Sequence, residues 1–118
     1  MINAIKFLLG SFFAFCIGVH IYGLIKPFSQ ETVLSHIVHS ASYTLCLFAL
    51  LKFSNYRLLL FVLGAIYPFF YHARCAYQTF LTHHTLNGIC LLVVAIIPLG
   101  ALWLQFEKNL PQALNKDH

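Results

Sequence analysis

Histidine is the residue type in this chain best placed to do chemistry. There are seven. His118 ends the sequence, while His20, His36, His39, His72, His83 and His84 fall close to the ends of long apolar stretches. An imidazole can ligate a metal or a haem iron through a ring nitrogen, and it changes charge near neutral pH. Spacing groups several of them with other polar side chains. His36, His39, Tyr43 and Cys46 recur at i, i+3, i+7 and i+10, which places them on one helical face. His83, Asn87 and Cys90 make a similar face, and Cys16 and His20 are one turn apart. The His72 face also carries Ala65, Pro68 and Ala76, short enough for another helix or a flat ligand to approach. His39 to Cys46 and His83 to Cys90 share one spacing, as a duplicated hairpin would leave.

The elements that must position these residues follow from composition. The chain has 118 residues, 60% hydrophobic, 16% aromatic and only 8% charged, against about 25% charged in an ordinary soluble domain. Such a chain could not cover its own surface in water, and disorder requires the opposite balance. The composition is that of an integral membrane protein. A helix needs about 20 mostly apolar residues to cross the hydrocarbon core. Four stretches qualify, at 4–25, 33–53, 58–77 and 84–106, followed by a polar tail at 107–118. The expected fold is a single all-α domain over 1–118: a four-helix transmembrane bundle, up-down and antiparallel, with short loops. Pro27 ends the first helix, Ser29 or Thr32 caps the second, and 53–57 and 78–83 are tight turns. The first stretch reads as a helix rather than a cleaved signal, because no small-x-small site follows it.

Lys6, Lys52, Arg57, Lys108 and Lys116 fall on the side of the termini, and Lys26 and Arg74 on the other. The positive-inside rule then places both termini in the cytoplasm, as in a bacterial inner membrane. The net charge of +4 is mostly this bias and calls for no nucleic-acid partner. Alternating helix direction brings the six histidines to the extracytoplasmic end. At about 1.5 Å per residue, His20, His39 and His72 lie roughly 8–10 Å inside their helix ends, with His36, His83 and His84 nearer the interface. Ionisable residues at depth usually face a bundle interior and mark a site, although a lone membrane histidine can simply hydrogen-bond a neighbouring helix. Tyr56 and Trp103 suit the inner aromatic belt, and Tyr22 and Tyr77 the outer one.

The acidic residues are read as peripheral: Glu31 in the outer loop, Glu107 and Asp117 at the inner end. A divalent ion held by neutral imidazoles alone would keep its full charge in a medium of low dielectric. Ferrous haem is neutral at its centre, and its propionates need only cations at the rim. The expected cofactor is therefore haem b, bound by His20, His39 and His72, with His39 and either His20 or His72 axial. Lys26 and Arg74 would hold the propionates. Otherwise the ligand is a divalent transition metal on His20, His36, His39, His72, His83 and His84.

Cys16, Cys46, Cys75 and Cys90 lie one per helix without a C-x-x-C pair, so neither a disulfide framework nor a dithiol relay is expected. Tyr43, Tyr67, Tyr71 and Asn87 could line a quinone pocket. No hydrolase or nucleotide motif is present, so catalytic residues are unspecified and enzymatic activity is left open. The sequence points first to haem b binding and electron transfer. The alternatives are a d-block metal-binding protein serving transport or cofactor insertion, and a non-catalytic accessory subunit. Expected partners are the lipid bilayer, a quinone or redox protein, and further copies or subunits of a larger complex.

Overall fold

The structure is a computed structural model that describes residues 2–26, 31–51 and 56–114, with side chains over 4–26, 31–51, 56, 58–101 and 103–104. Pro27, Ser29, Lys52, the turn at 53–55 and residues 115–118 lie outside the described residues, as do the side chains of Arg57, Glu107 and Lys108. All regular structure among the described residues is helical: α1 (Ile2–Ile25), α2 (Val33–Leu51), α3 (Arg57–Leu81) and α4 (Thr85–Leu114).

Three helices are long and apolar enough to cross a membrane, over Ala4–Ile25, Val33–Leu51 and Leu58–Leu81. The apolar described part of α4, Thr85–Ala101, is shorter than a span requires. Two boundaries differ from expectation. The segment 107–114, read as polar tail, continues α4 as helix to Leu114. Likewise α3 runs on to Leu81, because Gln78–Leu81 contains neither Gly nor Pro to stop it. His83 makes the stop. Its φ is 61°, its N–H donates to the Phe80 carbonyl at 3.1 Å, and the His84 N–H donates to Thr79 at 3.1 Å. This is the Schellman pattern, with a left-handed residue just past the helix.

The chain divides into two compact units, Met1–Pro68 and Phe69–His118. In the first, α1 and α2 are packed neighbours. The buried face of α1 carries Phe13, Cys16, His20 and Gly23, at the same spacing as His36, His39, Tyr43 and Cys46 on α2. Glycines permit the close approach. A Cβ at Gly23 would lie 2.5 Å from His36 Cε1. One at Gly64 of α3 would lie 2.6 Å from the Ser42 carbonyl oxygen and 2.8 Å from Cys46 Sγ. Small residues of this kind let helices meet backbone to backbone. Fully buried rings of Phe13, Tyr43 and Phe61 fill the centre, with Phe13 6.2 Å from Tyr43 and 6.3 Å from Phe61. Each such aromatic pair contributes about 0.5–1.5 kcal/mol.

In the second unit, Phe69–Leu81 of α3 continues through the His83 turn into α4. Gly88 makes room for the ring of Phe80, whose Cε1 would lie 2.7 Å from an added Cβ. Ala76, Ala95, Pro98 and Ala101 are buried. The spacing shared by His39–Cys46 and His83–Cys90 has no structural counterpart. His39 and Cys46 are buried within α2, whereas His83 is in a turn and Cys90 is exposed.

Candidate metal centre

The site is built at the junction of α1 and α2. Thr32 caps α2: its Oγ1 accepts the Ser35 N–H at 3.2 Å, and its carbonyl accepts the His36 N–H at 3.1 Å. Thr32 was one of the two residues expected to do so. The cap fixes the residue before it. Glu31 stands just outside the helix N-terminus, where the macrodipole favours negative charge, and its carboxylate reaches in toward the histidines. Oε2 lies 3.7 Å from His20 Nδ1, 3.4 Å from His36 Nδ1 and 3.7 Å from His39 Nδ1. Three ring nitrogens from two helices thus converge on one carboxylate oxygen. The site is closed in: the His39 side chain is 0% exposed, His36 2%, His20 8% and Glu31 16%.

The nitrogens are not equivalent. His39 Nδ1 is 2.9 Å from the Ser35 carbonyl oxygen. A carbonyl only accepts, so His39 carries a proton on Nδ1 and donates it there. Only its Nε2 keeps a lone pair when the ring is neutral. His20 Nδ1 and His36 Nδ1 lie 3.1 Å apart. Two lone pairs would repel at that distance, so they either share a proton or face a common cation. His20, His36 and Glu31 are a group able to hold a metal ion. Their three donor atoms lie 3.1–3.7 Å from one another, spacings compatible with ligands about 2.0–2.1 Å from a shared zinc ion.

The rings are held from several sides. His20 and His39 stack with centroids 4.3 Å apart and planes within 1°. Tyr43 lies beneath both, at 5.9 Å from His20 and 6.2 Å from His39. Tyr67 meets His39 edge-on at 4.9 Å. Gly23 leaves the space that the His36 ring occupies. Tyr43 and Tyr67, read as quinone-lining, therefore pack the histidine cluster.

Of the six expected ligands, His20, His36 and His39 come together in the first unit. His72, His83 and His84 belong to the second. There His72 is buried beside the Tyr71 ring at 5.5 Å, while His83 and His84 are exposed. The left-handed turn accounts for His83 without a ligand. Lys26 and Arg74, expected at haem propionates, are both exposed. One expected axial pair meets a geometric obstacle. Axial histidines point nitrogens at an iron from opposite sides of a macrocycle, but His20 and His39 lie face to face in contact.

The sequence reading missed Glu31, Ser35 and Gly23. It set Glu31 in the outer loop, whereas the carboxylate turns inward and supplies the negative charge that a bare-metal site had lacked. The available signal was position: Glu31 directly precedes the cap of the helix that carries His36 and His39. The four cysteines are free thiols. No protein-family model matches the chain, and comparison with curated proteins and with solved structures returns no match.

Proposed function

We propose that the protein is an integral membrane metal-binding protein, holding a divalent d-block ion on His20, His36 and Glu31 for transport or cofactor insertion. The observation that carries this reading is the convergence of the His20 and His36 Nδ1 atoms on Glu31 Oε2, within 3.1–3.7 Å of one another. Two imidazoles and a carboxylate are a donor set that suits zinc and the neighbouring borderline ions, and leaves coordination positions open. The carboxylate cancels one of the two charges, which removes much of the electrostatic objection to a bare ion in a poorly solvated site.

Membrane insertion is supported by the three apolar helices and by what they leave outside. Phe7, Phe15, Ile25, Leu34, Phe70 and Leu86 are exposed, and apolar surface on that scale needs an apolar surrounding. The bias of basic residues supports cytoplasmic termini, with the metal centre toward the extracytoplasmic face. Of the two axial pairs expected for haem b, His20–His39 is stacked rather than opposed, which favours the bare ion.

The test is metal and absorption analysis of protein purified in detergent. The expected result is colourless protein that takes up zinc, or cobalt(II) as its spectroscopic substitute, at one ion per chain. Binding should be lost in His36→Ala and kept in His84→Ala. A Soret band, or wild-type protein that takes up neither ion, would overturn the reading.

A further inference from the structure

Ser35 sits where three polar groups meet. Its Oγ accepts a hydrogen bond from the Tyr67 hydroxyl at 3.3 Å and donates to Glu31 Oε2 at 3.4 Å. It also lies 3.3 Å from His39 Nδ1, whose proton is directed mainly at the Ser35 carbonyl. A serine hydroxyl has one proton. With Tyr67 donating to its lone pair, that proton is aimed at the carboxylate.

We infer that Ser35 and Tyr67 are positioning residues of the metal centre: a two-hydroxyl relay from α3 through α2 that fixes Glu31 Oε2 against His20 and His36. This deepens the metal reading and rests on it. The chemistry is that of outer partners in metal sites generally, where a ligating carboxylate is itself hydrogen-bonded and loss of the partner weakens binding by 10–100-fold. Here the partners form a series. The Tyr67 hydroxyl acts on Glu31 by polarising and orienting Ser35, whose own proton is given to Oε2. The same tyrosine ring packs edge-on against His39, so Tyr67→Phe removes the hydroxyl and leaves the packing surface.

The experiment is cobalt(II) titration of the full chain in detergent, read by its d–d absorption, with zinc competition for affinity. The variants are Ser35→Ala, Ser35→Thr, Tyr67→Phe and the double variant Ser35→Ala/Tyr67→Phe. Ser35→Ala should weaken binding by about 10–100-fold and alter the cobalt spectrum, and Ser35→Thr should restore both. Tyr67→Phe should weaken binding less. In the Ser35→Ala background it should have no further effect, because a series relay is already broken. A merely structural role for Tyr67 would instead give additive losses. Unchanged affinity in both single variants, or additivity in the double, would overturn the relay while wild-type binding kept the metal reading intact. Wild-type protein that binds no cobalt would overturn the metal reading itself, and the relay with it. Should Ser35→Ala fail to fold, Tyr67→Phe against wild type decides: an unchanged affinity and spectrum overturn the relay.

Discussion

Gly23 of α1 lies directly against the imidazole of His36 on α2, so that an added Cβ would come within 2.5–2.8 Å of three ring atoms. The ring occupies space that exists only because residue 23 has no side chain. His36 cannot keep its position, or its 3.4 Å approach to Glu31, beside any larger residue.

Gly23→Ala should therefore cost metal affinity at least about 10-fold, through displacement of His36, and stability by about 1–3 kcal/mol, as overpacked sites generally do. Gly18→Ala is the matched control, since nothing lies within 4 Å of its added Cβ. Isothermal titration with zinc, alongside thermal unfolding in detergent, checks both numbers. Equal behaviour of the two variants would show that His36 has room to spare.

Glu31→Gln keeps the shape of the side chain and removes its charge. Without the carboxylate, a divalent ion would face imidazoles alone, so affinity should fall by more than the 10–100-fold typical of an outer partner. Glu31→Asp should recover part of it. Competition against a chelating dye measures the series. A neutral glutamine that binds zinc as well as glutamate does would remove Glu31 from the ligand set.

His83 offers a contrast, because the structure assigns it to a helix stop. A non-glycine residue at φ 61° carries a cost of about 1–2 kcal/mol that glycine avoids. His83→Gly should raise stability by about 1 kcal/mol without changing metal affinity. Loss of a bound ion in this variant would return His83 to the ligands.

Topology can be read independently of any metal. Reporter fusions placed at Gln30 and after His118 should show opposite sides, with Gln30 extracytoplasmic and the C-terminus cytoplasmic. A cytoplasmic Gln30 would invert the proposed topology and put the His20–Glu31–His36 group toward the inner face.

Much of the helical layout was legible because it rests on local rules. Apolar run length set α1, α2 and the start of α3, and Thr32 announced its cap. The i, i+3, i+7 spacing also found the face of α2 that meets α1, including His36, His39, Tyr43 and Cys46. The central site residue escaped for a geometric reason. Whether Glu31 points outward or inward depends on how α1 and α2 are registered, and that register is set by Gly23 and His36 in contact rather than by either helix alone. His83 escaped because it occupies a left-handed position more often filled by glycine. The haem preference came from the same gap: with Glu31 left outside, neutral imidazoles had no compensating charge.

The donor atoms of the Glu31 group all belong to residues 20 to 36, and the two histidines are 16 residues apart. Closing a loop that short costs little entropy, and the cost grows only with the logarithm of its length. A bound ion would act as a clasp on the first helical hairpin, needing nothing from α4 to close. During synthesis the residues of that hairpin are made before those of α3 and α4. On the proposed reading, an ion could then be captured before α3 docks and be held more firmly once Tyr67 arrives, so that metal supply would govern how efficiently new chains mature.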